Sequence, residues 1–521
     1  MIFRLFLLAL LALAAPAHAQ WREATSANFI IYSEGSEAEI RAFATKLEKF
    51  NFVLRAYHGV TSPPSPNRLR VFLMPTINGV QRYAPGAAGF YIRRARGPMM
   101  VGTRRKLAAR GTSIDPESIL LHEYTHHFMY QYFPATYPTW YSEGFAEFWG
   151  ATRLLDNDVV EVGQPANYRY GSFSANRWLH ARRLLTAQSY ADVPELDLLY
   201  AQGWLLVRYM FDDTQTRQQI QAYLNAINSG RTYRQAMNEA FDDVSRLNST
   251  LFSYAGRRTL QVVRLPFRTI DVGEISVRRL GPAEQELVHS EILLSRGILA
   301  SEAGDFARSL RTISGRFPDS PHALLMLAET ERLAGNNEAA SAAIDRLLAI
   351  QPDDPRGLMY KGLIEAEALR HAGTGDEAAW DAARASILRA NRIAPNDPLI
   401  LEAYYDSFAM TGRLPPESAQ NALYTAMERA PSDSDLRYKV AADFEARGMI
   451  ESAIATIRPT AYVVPHRGEE SERERRRREE LEERYRMAGT SRRETAREMY
   501  DRLRTQLGQD VEEEGAEDGG S

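Results

Sequence analysis

Four similar turns recur at nearly regular intervals in the second half of this 521-residue chain. In each turn a proline is followed by Asp, Asn or Ser, and the segments between the turns are rich in Ala and Leu with the period of a helix. The prolines are Pro318, Pro352, Pro395 and Pro431, at intervals of 34, 43 and 36 residues. A pair of short helices cannot bury its own apolar face, so units of this kind must stack on one another to form a core.

An interval near 34 residues with paired helices resembles the tetratricopeptide repeat. The resemblance implies an all-α repeat domain over residues 283–465 that binds a protein partner. Small residues stand where such a repeat brings helices close together, namely Ala300, Gly304, Ala328, Gly335 and Ala339. The middle unit is longer, and we predict an insertion near Arg370–Asp376. A helical bundle without repeats is the alternative that the pattern leaves open.

Composition excludes several classes of protein. Hydrophobic residues form 44% of the chain and charged residues 25%, which are the values of a folded protein rather than a disordered one. The chain has no Cys, which excludes disulfides, thiolate metal sites and thiol nucleophiles. The formal net charge is −4, so no global charge attracts nucleic acid, and we expect no nucleic-acid partner.

The first residues have the pattern of an export signal. Arg4 precedes the apolar run Leu5–Ala15, Pro16 ends that run, and Ala17–Ala19 is a small-residue cleavage site. We predict a signal peptide over residues 1–19 and a periplasmic or secreted bacterial protein with no membrane span after cleavage. An uncleaved membrane anchor is the alternative.

The segment from Trp21 to about Ile270 mixes strands with helices, and we assign an α+β domain to residues 20–275. We predict strands at Asn28–Ser33 and Arg68–Met74, a helix at Glu37–Tyr57, a hairpin formed by Gly89–Arg94 and Met99–Arg104, and a helix that begins after Asp115 and ends near Tyr132. Residues 466–521 differ from both domains. Glu469–Arg484 holds fourteen charges of both signs in sixteen residues, which indicates an exposed helix, and the acidic residues after Val511 indicate a disordered tail.

A metal-binding motif lies in the helix predicted after Asp115. His122-Glu123-Tyr124-Thr125-His126 has the form HExxH, in which two imidazoles one helical turn apart bind a metal and the glutamate faces its water. A catalytic zinc needs a third protein ligand. Glu143 can supply it from the segment after Pro138. One turn later, Glu147 can accept a hydrogen bond from a ligand histidine, unless it lies on a solvated helix face.

HExxH followed by W-x-x-E-G-x-A-E, here Trp140–Glu147, resembles the gluzincin metallopeptidases, the superfamily of thermolysin and aminopeptidase N. The resemblance covers roughly Gly89 to Phe211 and implies a zincin-like fold with Glu123 as general base. It implies a zinc ion, Zn2+, held by His122, His126 and Glu143. The whole arrangement, with export signal and helical repeats, is similar to exported bacterial peptidase-MA-like proteins.

Two further segments bear on this resemblance. Tyr200-Ala201-Gln202-Gly203 is similar to the Y-x-K-G segment of aminopeptidase N relatives, which implies that the Tyr200 hydroxyl stabilises the oxyanion; a core tyrosine is the alternative. Gly97–Val101 stands where aminopeptidases have G-x-M-E-N but contains no acid, which favours an endopeptidase. Gluzincins place an edge strand beside the cleft, and we predict Met99–Thr103 as that strand, paired with a peptide substrate.

Four other residues are weighed as site residues. His127 lies about 100° round the helix from His126, so we do not expect it to be a ligand. His180, Tyr168 and Tyr170 are candidates for the cleft wall. The sequence thus predicts an exported zinc metallopeptidase with a protein-binding repeat domain. An inactive peptidase-like fold that serves as a helical-repeat binding scaffold is the competing hypothesis.

Overall fold

The computed structural model describes residues 20–105, 107–109, 112–155, 158–166, 169, 172–173, 177–257, 259–267, 269–462, 476 and 494–509. The predicted signal peptide, the predicted charged helix apart from one residue, the acidic tail, Tyr168 and Tyr170 lie outside this part of the chain. Within it, no helix combines the length and the apolar character needed to cross a membrane. The chain is largely helical, with an α+β region first and helical repeats after it.

A six-stranded mixed sheet organises the α+β region. The strands of the described chain are β1 (Arg22–Thr25), β2 (Phe29–Ser33), β3 (Leu69–Met74), β4 (Gly89–Ile92), β5 (Met99–Thr103), β6 (Leu107–Ala109), β7 (Thr112–Ile114), β8 (Arg153–Leu154), β9 (Val159–Val162), β10 (Val263–Pro266) and β11 (Ser276–Arg279). The large sheet has the order β11-β1-β2-β3-β5-β4, and two small sheets have the orders β10-β9-β8 and β6-β7. The large sheet ends with β11, which lies just past the predicted domain boundary at residue 275.

The predicted hairpin is confirmed, but the predicted edge strand is wrong. β5 pairs in parallel with β3 on one side and antiparallel with β4 on the other, so Met99–Thr103 is an interior strand. On this side of the sheet the edge strand is β4. The first arm of the hairpin takes the outermost position, and the second arm, β5, returns between β4 and β3. Sequence pattern alone does not determine which arm of a hairpin lies outside.

Nine helices of the described α+β region surround the sheets. They are α1 (Glu37–Tyr57), α2 (Ile77–Gln81), α3 (Pro116–Tyr132), α4 (Thr139–Gly150), α5 (Ala181–Thr186), α6 (Leu196–Asp212), α7 (Thr214–Asn228), α8 (Tyr233–Ala240) and α9 (Val244–Ala255). α3 begins as predicted: the Asp115 carboxylate accepts a hydrogen bond from the Glu117 amide, and Pro116 occupies the first turn. It ends at Tyr132, and Pro134 prevents continuation.

Five helix pairs follow the sheet. They are α10 (Pro282–Arg296) with α11 (Ala300–Arg316), α12 (Pro321–Leu333) with α13 (Asn337–Ile350), α14 (Pro355–Ala372) with α15 (Glu377–Ile393), α16 (Pro398–Ala409) with α17 (Glu417–Arg429), and α18 (Ser434–Ala446) with α19 (Ile450–Ala461). The second to fifth pairs each begin three residues after one of the four turn prolines. The predicted helical periodicity is therefore confirmed.

The structure refines one detail of the repeat prediction and corrects another. The middle pair is longer, as predicted: its helices have 18 and 17 residues, against 13 and 14 in the pair before, and α14 extends to Ala372, into the stretch Arg370–Asp376 where the insertion is predicted. A Cβ atom added at Gly304 or Gly335 would meet nothing within 4 Å, so neither glycine serves close helix packing. That role belongs to Gly362, where a Cβ would lie 2.5 Å from the Ala383 carbonyl oxygen.

A further helix, α20 (Ala496–Gln506), covers the end of the repeats. Its Met499, Tyr500 and Leu503 side chains are buried against Ile454 and Ile457 of α19. The predicted charged helix, Glu469–Arg484, and the predicted disordered tail after Val511 lie before and after this stretch, so α20 tests neither prediction, and this helix was not predicted from the sequence. Its apolar residues recur at helical spacing and give it a buried face.

The stack of helix pairs contacts the α+β region at both of its ends. At the start, the Gln285 side chain of α10 accepts a hydrogen bond from the Trp21 amide at 2.8 Å and donates one to its carbonyl at 3.0 Å. At the far end, Arg458 donates to the carbonyl of Asn228, and the rings of Tyr462 and Tyr233 lie 5.5 Å apart. The repeats therefore close back on the domain from which they start.

Helices α4 and α6 cross at a contact between glycines. A Cβ atom at Gly144 would lie 2.3 Å from the carbonyl carbon of Gly203, and one at Gly203 would lie 2.4 Å from the Trp140 carbonyl oxygen. Real Cβ atoms do not approach backbone so closely. Trp140 is fully buried beside this crossing.

We expect Gly144→Ala to lower the free energy of unfolding by about 3 kcal/mol, because the new methyl group must push two backbones apart. Urea unfolding followed by circular dichroism measures the change. The matched control is Gly304→Ala, in an open position of α11, which should instead stabilise by about 0.5–1 kcal/mol. Equal stabilities for the two variants would contradict the close crossing.

Candidate metal centre

Two neighbouring helices bring the three candidate ligand side chains together. His122 and His126 lie one turn apart on α3, and Glu143 lies on α4. The two histidine Nε2 atoms are 3.1 Å apart, and the Glu143 Oε2 atom lies 3.3 Å from that of His122 and 3.5 Å from that of His126. The sequence-predicted ligands therefore converge, and all are shielded from solvent except for part of His122.

The triangle of ligand atoms has the size that a small divalent metal requires. Zinc binds histidine nitrogen and carboxylate oxygen at about 2.0–2.2 Å with tetrahedral angles, which separates neighbouring ligand atoms by about 3.3 Å. The three observed separations lie within a few tenths of an ångström of that value. Two imidazoles and a carboxylate suit zinc and also other transition metals, so this donor set does not select one ion by itself.

The electrostatics of the site favour a cation. Burial lowers the pKa of His122, but the hydrogen bond to Glu143 and the charges of Glu147, Glu143 and Glu123 outweigh it and raise the pKa to about 9. Three carboxylates therefore stabilise positive charge at this imidazole, and a metal ion can take the place of the proton.

Further side chains orient the ligands. The Tyr190 hydroxyl donates a hydrogen bond of 2.5 Å to Oε1 of Glu143, on the side of the carboxylate away from the histidines. The Ser142 hydroxyl lies 3.3 Å from Nδ1 of His126 and 3.1 Å from the hydroxyl of Tyr130. Such partners fix the orientation of metal ligands. Sequence reasoning missed Tyr190, which belongs to no motif and lies 47 residues from Glu143.

Glu147 is close to the ligands but has a different partner from the predicted one. Its Oε1 atom lies 3.7 Å from Nδ1 of His122, beyond hydrogen-bonding distance, and accepts hydrogen bonds from Arg169. Glu147 is 2% exposed, so the solvated-face alternative is wrong. The guanidinium of Arg169 also lies over the ring of Tyr200, 4.7 Å from its centre, and so links the two predicted site residues.

Tyr200 on α6 lies at the wall of the site. Its ring is nearly parallel to that of His122, with 6.5 Å between centres, and its hydroxyl shares a hydrogen bond with Tyr190. Burial, followed by the charge of Glu143, raises the pKa of Tyr200 well above its usual value, so the phenol keeps its proton. Gln202, which replaces the lysine of the similar segment, is buried and bonds both the amide and the carbonyl of Leu179.

Glu123 lies on α3 between the two histidines and faces strand β4. A Cβ atom at Gly89 of that strand would lie 3.3 Å from Cγ of Glu123 and 2.8 Å from Cγ2 of Ile119. Glycine is thus needed for the strand to pack closely against the Ile119 and Glu123 side chains of α3.

His127 and His180, the other two histidines weighed as site residues, make contacts outside the triad. Nδ1 of His127 lies 3.0 Å from the Tyr91 hydroxyl, and burial lowers the pKa of this imidazole to about 3. His180 is exposed and accepts a hydrogen bond from the Arg182 amide at the start of α5. His127 thus lies outside the ligand group, as expected.

We expect Tyr190→Phe to lower the free energy of unfolding of the metal-free protein by about 1.5–3 kcal/mol, because a buried carboxylate loses a charge-assisted hydrogen bond. Urea unfolding in the presence of a chelator measures the loss. Tyr404→Phe is the control, since that exposed hydroxyl lies 3.5 Å from Ser418 Oγ and its removal should change stability by less than about 0.5 kcal/mol. Indistinguishable effects would argue against a strong Tyr190–Glu143 bond.

Comparison with known proteins identifies the repeats. A family model described as a tetratricopeptide repeat matches residues 301–364. That stretch contains α11, α12 and α13 and the first half of α14, so the predicted resemblance is confirmed for this part of the chain. No curated protein matches the chain.

One similar solved structure is the crystal structure of a thermophilic tetratricopeptide-repeat protein of Thermus thermophilus. The two chains share 19% sequence identity, and the superposition has a TM-score of 0.29. The aligned region covers 33% of this chain and 88% of the Thermus chain. Such a low score adds nothing to the family match. The repeat domain is of a kind suited to protein binding.

Proposed function

We propose that this protein is an exported zinc metallopeptidase of the gluzincin type, which hydrolyses peptide bonds within a protein or peptide chain. The observation that carries the proposal is the 3.1–3.5 Å triangle of His122, His126 and Glu143, with Glu123 on the same helix as the two imidazoles. An HExxH helix and a facing glutamate are the parts that this class of enzyme needs. The zincin-like character of the α+β region belongs to the same proposal.

His122, His126 and Glu143 would hold the zinc ion. When bound, zinc polarises the scissile carbonyl group and lowers the pKa of a water molecule. Tyr190 and Ser142 contribute by keeping the Glu143 carboxylate and the His126 ring in place.

Proton transfer is assigned to Glu123. Its carboxylate takes the proton of the attacking water and passes it to the nitrogen of the leaving amine. The phenol of Tyr200 donates a hydrogen bond to the carbonyl oxygen as negative charge develops there. Arg169 orients this ring from above, through its contact at 4.7 Å and its ion pair with Glu147.

The substrate is proposed to lie along β4. Within the described chain this strand is one of the two edge strands of the large sheet, the other being β11, and it packs against α3 beside Glu123. An extended peptide adds to such an edge through backbone hydrogen bonds. Gly97–Val101 carries no acid to hold a free amino terminus, which favours cleavage within a chain. We therefore assign the pairing with substrate to Gly89–Ile92 instead of Met99–Thr103. The proposal of an endopeptidase is unchanged.

The competing function is a binding scaffold in which the metallopeptidase-like half has no catalytic role. The observation that favours it is the tetratricopeptide match over residues 301–364, which concerns recognition only. The two functions differ in whether the protein holds a metal and turns over peptide.

We expect the purified protein to contain about one zinc ion per chain and His126→Ala to contain less than a tenth of that, because two ligands bind zinc far more weakly than three. Metal analysis by mass spectrometry after dialysis measures both. His180→Ala removes an exposed histidine and should leave the zinc content unchanged. Zinc retained in His126→Ala, or absent from the wild type after zinc loading, would contradict the proposed centre.

We expect Glu123→Gln to reduce peptidase activity by about 100- to 10,000-fold while zinc stays bound, because the amide cannot accept the proton of the water. Release of peptides from unfolded casein, followed by mass spectrometry, measures the rate. The control is Glu117→Gln, in the first turn of the same helix, where the half-buried carboxylate pairs with Lys46; this variant should keep wild-type activity. A zinc-loaded Glu123→Gln protein as active as the wild type would rule out the proposed base.

A further inference from the structure

The tip of the β4–β5 hairpin, residues 93–98, inserts between the first helices of the repeat pairs. α10, α12, α14, α16 and α18 are these first helices, and each contributes at least one residue to the surroundings of the tip. We call the surface that these helices and the residues just before α18 present to the hairpin the inner face.

Arg96 is the most strongly held residue of the tip. Its guanidinium forms an ion pair with Glu329 of α12 and lies 3.3 Å from both carboxylate oxygens of Glu291 of α10. Glu291 also pairs with Arg70 of β3, whose guanidinium donates to the carbonyl of Gly97 in the tip at 3.3 Å. Burial disfavours the charge on Arg96, but Glu329 and Glu291 raise its pKa above the usual value. These contacts form a closed network of opposite charges.

Two more residues of the tip are bound at the other end of the inner face. Arg94 forms an ion pair with Asp435 in the first turn of α18. The backbone amide of Ala95 donates a 2.6 Å hydrogen bond to Asp433, which also caps that helix. Two arginines separated by one residue thus meet carboxylates from opposite ends of the repeat stack.

Apolar contacts fill the space between the charged groups. The Ala95 side chain is 4% exposed and belongs to a buried cluster with Leu401 and Tyr405 of α16. Tyr360 of α14 lies close enough to Arg96 for each to affect the charge of the other. The small alanine lets the backbone reach Asp433, which a larger side chain at position 95 would hinder.

We propose that the inner face of the repeat domain is a receptor for protein segments of the form Arg-x-Arg, and that Arg94-Ala95-Arg96 of the same chain is its resident ligand. A segment of another protein with the same pattern competes with the hairpin tip for this face. The proposal goes beyond the peptidase activity and does not depend on it, since it concerns recognition by the repeats alone.

The first test measures how firmly the tip is held in the mature, full-length protein. Trypsin cuts after arginine, so it reports exposure of residues 93–96, and a chelator prevents any cleavage by the protein itself. We expect Glu329→Gln to speed trypsin cleavage at the tip by about tenfold, because Arg96 loses its strongest partner. Mass spectrometry of the fragments locates the cut.

The matched control is Glu331→Gln, which removes a buried carboxylate from the same helix. Glu331 pairs with Arg311 of α11 and has no contact with the tip among the described interactions. The Glu331→Gln variant should leave the rate of trypsin cleavage after Arg93, Arg94 and Arg96 unchanged. Equal rates in the two variants, or rapid cleavage of the wild-type tip, would overturn the proposal.

The second test offers the ligand in trans. A fluorescent peptide with the sequence of residues 91–98, YIRRARGP, is titrated into the wild type and into Arg94→Ala/Arg96→Ala, in which the resident ligand has lost both charges. We expect the double variant to bind at least about tenfold more tightly, and a peptide with alanine at the same two positions not to bind. Equal affinity for both proteins, including no binding to either, would overturn the proposal.

Discussion

Helices α4 and α6 cross so closely that their backbones touch at Gly144 and Gly203. Gly144 follows Glu143 directly, so this crossing sets the position of the carboxylate opposite the two histidines. The same crossing fixes α6 and with it Tyr200, which lies one turn before Gly203. The placement of Glu143 relative to Tyr200 therefore depends on two residues without side chains, and the aromatic core around Trp140 keeps the helices in contact.

Features within one helix or turn were predictable because interactions between residues close in sequence determine them. The spacing of His122 and His126 puts both imidazoles on one helix face wherever that helix lies in the fold. Asp115 and Pro116 determine where α3 begins, since a cap and a proline act within one turn. The repeat pairs follow from turn prolines at intervals near 34 residues. The approach of Glu143 to the two histidines is a longer-range contact. The need for a third ligand and the turn at Pro138 made it possible, and the resemblance to gluzincins implied it.

Contacts between distant segments were not predictable in the same way. Tyr190 and Arg169 belong to no motif, and their roles appear only when α4 and α6 are placed side by side. The outer position of β4 depends on how the hairpin joins the sheet, because both of its arms have an apolar pattern. The pairing of Arg96 with Glu291 and Glu329 joins residues about 200 positions apart, and single charged residues carry no sign of their partners.

The return of the repeats to the domain from which they start changes how such an array should melt. An open stack of helix pairs frays from its free end, and its units lose structure in turn. Here Gln285 anchors the first pair on Trp21, Arg458 anchors the last pair on Asn228, and the hairpin tip occupies the middle. Because both ends of the described stack are anchored, we expect the helix pairs and the sheet to unfold in one cooperative transition, in which these anchoring contacts break before any single pair separates.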